Sequence, residues 1–356
     1  MATISKHIAT SIRPKPSILL IGKLHHSKSE WSKLQTKYKT YQFTGNRQQF
    51  LQNCQSGTWD GVAALYRTNS TLETGPFDKE LIQSLPPTLR FICLNGAGYD
   101  GMDVRACTER GIRISNTPKV VADATADVAM FLLLGALRQA MIPLVSIRNG
   151  QWKGDTPLGR DPGGKVLGIL GMGAIGQAIA HRARAFGLKI IYHNRSKLSR
   201  DKEGRGISFL VFSSTLDSVR NRRRRIYIIS LNLPATVKTR HIISKAEFKK
   251  MKDDVVIINT ARGSLLDEAA LVEALQAGKV ASAGLDVFEN EPIVHPGLLH
   301  DNRVMILPHI GTTTRETKRE MELLTLRNIE NALDDGKLLT PIIEQQEGPV
   351  QRHIKR

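Results

Sequence analysis

The sequence predicts an α/β chain built on doubly wound parallel sheets, and three observations carry that prediction. Short apolar runs alternate with helical patterns along most of the length, the signature of parallel βα units. A glycine fingerprint, Gly171-Met172-Gly173-Ala174-Ile175-Gly176, stands between one apolar run and one helical pattern. The 356 residues suffice for two domains or one large α/β unit.

In order along the chain, the runs Ser17–Gly22, Gly61–Tyr66 and Leu89–Leu94 are expected to be buried strands. Asn116-Thr117-Pro118 marks a turn, and Ala124–Ala140 follows as a long apolar helix with Leu132, Leu133 and Leu137 inside. From Lys165 the alternation restarts. Strands are expected at Val166–Leu170, Lys189–Tyr192, Ile226–Leu231, Val255–Asn259, Ala283–Val287 and Val304–Leu307, making one doubly wound sheet. Ser244 and Glu247 have capping-box spacing. Asp267 can cap a helix that stops at Gly278, where a left-handed residue fits.

Composition excludes several classes. With 41% hydrophobic and 24% charged residues the chain has material for buried cores and is neither disordered nor collagen-like. The longest apolar run, near Val128–Leu137, falls well short of the roughly eighteen residues a membrane helix needs. Cys54, Cys93 and Cys107 form no CxxC, which fits a reducing compartment and speaks against a structural zinc site; no metal is expected. The net charge of +18 is concentrated in an acid-free stretch at residues 1–29 and in Arg222–Arg225. The four arginines are expected in a solvated loop, with a basic nucleic-acid patch or an aberrant gene-derived segment over 199–225 as the alternatives. No nucleic-acid partner is expected. Residues 1–16 loosely resemble a mitochondrial presequence, but a strand follows at once, so the expectation is cytoplasmic, with mitochondrial targeting the alternative.

The fingerprint sits in the context that a dinucleotide site requires. Gly171 permits the tight turn, Gly173 lets the backbone approach a pyrophosphate, and Gly176 lets helix and strand pack closely. Ala174 and Ile175 open the helix whose free N–H groups face the phosphate charge. An NAD-preferring site wants an acid about 20 residues further on. No Asp or Glu occurs between Gly176 and Leu198, and the next strand leads into Asn194-Arg195-Ser196. A guanidinium and a hydroxyl there suit a 2′-phosphate, so NADP(H) is the preferred cofactor, with NAD(H) the alternative.

Three polar residues follow consecutive strands of this half: Arg262 in NTARG, Glu291 in DVFENEP and His309 in LPHIG. Hydride transfer to a 2-oxo acid needs a guanidinium for carboxylate and carbonyl, and an imidazolium to protonate the developing alkoxide. A carboxylate beside the imidazole would orient it and favour its charged form.

The ordered set GMGAIG, NTARG, DVFENEP, LPHIGTTT resembles the D-isomer-specific 2-hydroxyacid dehydrogenase family, especially its glyoxylate/hydroxypyruvate reductase branch, from about Ser17 to Ile343. The resemblance implies Arg262 as substrate anchor, His309 as acid/base and Glu291 as its partner. It implies a substrate-carboxylate loop at Asn95–Asp100, with Ala97 and Gly98 presenting N–H groups. Thr125, Leu233, Ala261 and Asp286 should line the cofactor cleft, Asp286 near the carboxamide.

It also implies a Rossmann-type cofactor domain inserted into a flavodoxin-like substrate domain. Residues 1–16 would be a basic extension, 17–120 and 309–345 the substrate domain, 121–308 the NAD(P) domain, and 346–356 a tail. A homodimer through the long helix around Ala124–Ala140 is implied as well. The expected activity is NADPH-dependent reduction of glyoxylate or hydroxypyruvate to D-2-hydroxy acids. The alternatives are a dehydrogenase for another 2-hydroxy acid, such as a branched acid or phosphoglycerate, and a dinucleotide-sensing co-repressor-like binding protein on the same fold.

Overall fold

The computed structural model describes residues 16–68, 73–199, 207–209 and 226–346. The basic extension at residues 1–15, most of the 199–225 stretch including Arg222–Arg225, and the tail from 347 lie outside the described residues. The chain divides into two compact units, Met1–Thr117 with Arg319–Arg356, and Pro118–Lys318. The second boundary falls ten residues beyond the 308/309 position expected from the sequence, so the His309 loop belongs to the second unit.

The first unit is built on a parallel sheet of order β2-β1-β3-β4-β5, a flavodoxin-like order. Its strands are β1 (Ser17–Ile21), β2 (Lys39–Phe43), β3 (Val62–Thr68), β4 (Phe91–Asn95) and β5 (Arg113–Ser115). All of β1 is buried, which is why it reads as an unbroken apolar run rather than an alternation. The sequence reading missed β2 and β5. β2 is an edge strand with only Phe43 buried, and β5 has three residues. Around the sheet lie α1 (Lys28–Lys37), α2 (Arg47–Gln55), α3 (Lys79–Ser84) and α4 (Val104–Glu109). Asn46 and Gln49 form a reciprocal capping box at the start of α2, with bonds of 3.1 and 3.0 Å. Phe43, Phe50 and Trp59 pack ring against ring beneath it.

The closing helix of the chain, α11 (Arg315–Asp335), contributes its later turns to this unit. Its Glu322, 3% exposed, accepts the His25 and His26 backbone N–H groups at 2.9 Å each. Two charge-assisted bonds satisfy a carboxylate that burial would otherwise destabilise. Cys93 and Cys107 are buried and Cys54 is half-buried; burial pushes all three thiols up to about 12.

The second unit is built on a seven-stranded parallel sheet of order β12-β11-β10-β9-β6-β7-β8. Its strands are β6 (Val166–Leu170), β7 (Lys189–His193), β8 (Ile207–Phe209), β9 (Ile226–Leu231), β10 (Val255–Asn259), β11 (Val280–Leu285) and β12 (Val304–Ile306). Six strands were expected; β8, three residues paired with β7, extends the edge and completes the doubly wound order. The helices are α5 (Ala122–Leu137), α6 (Met141–Arg148), α7 (Ala174–Ala185), α8 (Lys245–Lys250), α9 (Glu268–Gln276) and α10 (Pro296–Leu299).

Asp267 caps α9 by accepting the Ala270 N–H at 3.0 Å, and Gly278 takes φ +69° just past its end. At α8, Glu247 accepts from both the Ser244 N–H and the Ser244 hydroxyl. The helix expected to run to Ala140 ends at Leu137. Gln139 adopts φ +46°, and the Ala140 N–H returns to the Gly135 carbonyl at 2.9 Å. That left-handed cap stops α5 and turns the chain 77° into α6. Among the described residues no single helix is long and apolar enough to cross a membrane.

Candidate active site

The glycine fingerprint joins β6 to α7, and each glycine has a distinct reason to lack a side chain. Gly171 takes φ +98°, and a Cβ on it would lie 2.5 Å from the Asn232 carbonyl oxygen. A Cβ on Gly176 would lie 2.2 Å from the Gly171 carbonyl oxygen, so only glycine lets α7 approach the strand end. Gly173 caps α7 without a side-chain bond and has nothing within 4 Å of its missing Cβ. The helix thus starts with unpaired backbone donors beside open space, which suits a pyrophosphate. Ala174 is exposed and Ile175 half-buried at that helix start.

At the end of β7, Asn194 turns back on this loop: its Oδ1 accepts the Met172 N–H at 2.7 Å. Arg195 and Ser196 follow, both exposed. Leu233 and Ala261 are half-buried after β9 and β10, while Thr125 on α5 is 4% exposed and lies beside Gly311.

Arg262 follows β10 through a turn shaped by its own strand. The buried Asn259 side chain accepts the Ala261 N–H at 3.1 Å and donates to the Arg262 carbonyl at 2.9 Å. The Arg262 guanidinium donates to the Ala261 carbonyl at 2.7 Å. Gly263 then presses on the loop after β11; a Cβ on it would come within 1.8 Å of the Phe288 carbonyl carbon. Arg262 and the Phe288–Glu291 segment are therefore held face to face by backbone packing.

Glu291 and His309 meet directly, with Oε2 2.9 Å from Nδ1. The other carboxylate oxygen accepts the Phe288 N–H at 3.0 Å. Burial opposes ionisation of Glu291, but the bond to His309, the Phe288 N–H and the nearby Arg262 charge outweigh it. Its pKa lies below the usual carboxylate range. His309 itself sits at φ +55°, a left-handed backbone that costs about 1 kcal/mol or more for a residue with a side chain. Asp286 compensates by accepting the next two backbone N–H groups, Ile310 and Gly311, at 2.8 Å each. Burial raises the Asp286 pKa despite those two donors.

The structure therefore brings together Arg262, Asp286, Glu291 and His309 in the second unit, with the glycine loop, Asn194, Arg195 and Ser196 at the ends of β6 and β7. Ala97 and Gly98 belong to the first unit, in the loop after β4, where Asn116 Nδ2 donates to the Ala97 carbonyl at 2.7 Å. The sequence reading missed the supporting acids. Glu268 accepts the Glu289 N–H at 2.7 Å, and Glu289 binds Arg240 and His241. The only sequence signal of Glu268 was an acid at a helix start, which ordinarily complements the helix dipole.

Comparison with known proteins gives a consistent result. The family profile described as D-isomer specific 2-hydroxyacid dehydrogenase, NAD binding domain, matches residues 130–311. The chain is 54% identical to 4-methyl-2-oxopentanoate reductase A of Aspergillus oryzae over 93% of its own length and 99% of the relative. The crystal structure of a glyoxylate reductase from Paecilomyes thermophila superimposes with a TM-score of 0.89 at 54% identity, covering 94% of this chain and 100% of that one. An NADPH-dependent glyoxylate/hydroxypyruvate reductase from Sinorhizobium meliloti, solved with NADP and malonate, matches with a TM-score of 0.78 at 32% identity, covering 93% and 97%.

Proposed function

From the premise that this chain belongs to the D-isomer specific 2-hydroxyacid dehydrogenase family, and so is an oxidoreductase acting on CH–OH groups with NAD(P), we propose that it is an NADPH-dependent reductase of small 2-oxo acids. Glyoxylate and hydroxypyruvate are its proposed substrates, and D-2-hydroxy acids its products.

The observation that carries the reading is the Glu291–His309 pair beside Arg262. A bound nicotinamide dinucleotide supplies the hydride. In this proposal Arg262 holds the substrate carboxylate and polarises its carbonyl; the Ala97 and Gly98 backbone N–H groups remain assigned to the carboxylate by the family resemblance alone. His309, held at Nδ1 by Glu291, delivers the proton from Nε2 to the carbonyl oxygen as charge develops there. Ionised Glu291 stabilises the imidazolium before transfer and keeps the ring in one orientation.

The glycine loop, with Gly171, Gly173, Ala174, Ile175 and Gly176, is assigned to the pyrophosphate, and Thr125, Leu233 and Ala261 to the walls of the cofactor site. Asp286 is assigned to the carboxamide as well as to the His309 loop: its oxygens accept the Ile310 and Gly311 N–H groups and still have acceptor sites to offer a carboxamide N–H₂. The preference for NADPH rests on Asn194, Arg195 and Ser196 standing where an NAD site would carry an acid.

The test is initial-rate oxidation of NADPH and NADH with glyoxylate, hydroxypyruvate and 4-methyl-2-oxopentanoate. Faster NADPH oxidation with the two small acids is the expected result. Faster turnover of the branched acid would move the substrate class toward that named for the Aspergillus oryzae relative. Absence of turnover by folded protein with every pair would refute the reading.

A homodimer through the long helix α5 belongs to the same proposal. Phe131 on α5 exposes 53% of its surface, and Ile147 on α6 and Trp152 and Leu158 in the segment after it expose 49%, 75% and 97%. Sedimentation at micromolar concentration should give twice the chain mass, and a monomer would overturn this element.

A further inference from the structure

Glu268 opens α9 and is 5% exposed, yet the chemistry above gives it no part. Its Oε1 accepts the Glu289 N–H at 2.7 Å, and the His295 backbone N–H faces the same carboxylate and favours its charge. Between those two anchor points the chain makes a tight turn, with the Ile293 N–H donating to the Asn290 carbonyl at 2.9 Å. Glu291 lies inside that turn. The far side is tied by the Glu289 side chain, itself 14% exposed, to Arg240 and His241.

The arrangement parallels Asp286, whose two oxygens hold the backbone immediately after His309. Each member of the Glu291–His309 pair thus rides on a loop hung from a buried carboxylate. A carboxylate is suited to this because it has acceptor sites for both N–H groups and no proton to turn against either.

Resting on the proposed role of the pair, we infer that Glu268 is a positioning residue. By accepting the Glu289 N–H, with the His295 N–H facing the same carboxylate, it fixes the turn that carries Glu291, and through Glu291 it sets the orientation of the His309 imidazole. The charged groups facing that imidazole are Glu291 and Asp286, with Arg262 acting on Glu291. Those facing Glu268 are Glu289 and His295.

The experiment is the pH–rate profile of NADPH-driven glyoxylate reduction by the full chain carrying Glu268→Gln. An amide keeps one acceptor and turns an N–H₂ against the second donor. The expected result is a kcat lowered about tenfold or more, unchanged NADPH binding by fluorescence titration, and an alkaline limb moved about one unit to lower pH. In a Glu291→Gln background the same change should move the limb no further, since the two act through one contact.

A folded Glu268→Gln chain with an unshifted limb overturns the inference, as does an equal shift in the Glu291→Gln background. If that variant does not fold, Glu289→Ala, which frees the turn from the Arg240 and His241 side, decides: a shifted limb supports the inference and an unshifted one ends it. Retained turnover in His309→Gln would instead sink the reading of His309. Turnover lost in His309→Gln, with an unshifted Glu268→Gln limb, sinks only the role of Glu268.

Discussion

His309 Nδ1 lies 2.9 Å from Glu291 Oε2, while the next two residues after His309 are bonded to Asp286. The imidazole is thus fixed both by its side-chain partner and by its backbone, and in the proposed mechanism Nε2 is the nitrogen that transfers the proton. His309→Gln should lower turnover by about 10²–10⁴-fold. NADPH affinity should stay nearly intact in a fluorescence titration, and a variant that still turns over would refute the role of Nε2.

Glu291 is held ionised by His309, the Phe288 N–H and Arg262 against the cost of its burial. Its folded pKa is depressed, so its contribution to stability is present above the unfolded value of 4.5. That contribution is lost as pH falls through the folded value. Acid unfolding of Glu291→Gln should therefore be less steep below about pH 4.5 than that of the parent chain. The same variant should lose activity earlier on the alkaline side, and a superimposable pH–rate profile would contradict the pairing.

In the proposed NADPH reading Asn194 stands where an acid would repel a 2′-phosphate, and it holds the Met172 N–H through Oδ1. Asn194→Asp keeps that acceptor and adds a negative charge. It should raise the KM for NADPH about tenfold or more while sparing NADH. Arg195→Ala should act in the same direction; an equal effect on both cofactors would point to loss of the loop rather than loss of phosphate recognition.

Gly263 has no room for a side chain against Phe288. Gly263→Ala should cost about 3 kcal/mol or more, because the obstruction is backbone rather than a movable side chain. Chemical denaturation reads this as a lower midpoint at unchanged slope. A fall of less than about 0.5 kcal/mol would show that the two loops separate freely.

Much of this was legible in the chain. β6, β9 and β10 lie where their apolar runs placed them, because central strands of a parallel sheet are buried on both faces and carry the strongest signal. Arg262, Glu291 and His309 stood out as polar residues after β10, β11 and β12. β2 was hidden because an edge strand needs little apolar surface, and the end of α5 because Gln139 takes a left-handed conformation usually left to glycine. Asp286 was singled out only through the resemblance and Glu268 not at all, and their partners lie 24 and 21 positions away. Which backbone N–H a carboxylate will meet at that separation is decided by the folded chain, and no local pattern records it.

The bonds from Glu322 to the His25 and His26 backbone span 297 and 296 positions. Tyr38 likewise bonds Asp334 across 296. A chain emerging from the ribosome makes β1 through β5 first, yet the helix that covers β1 and accepts from the His25 and His26 N–H groups just after it arrives only after the entire second unit has been synthesised. The second unit, continuous from Pro118 to Lys318, can close on itself while the first waits with Ile18 and Leu20 uncovered by their later neighbours. Such long closures are slow to form. The order of maturation is therefore the reverse of the order of synthesis, and the first unit is the one that needs shelter from aggregation in the interval.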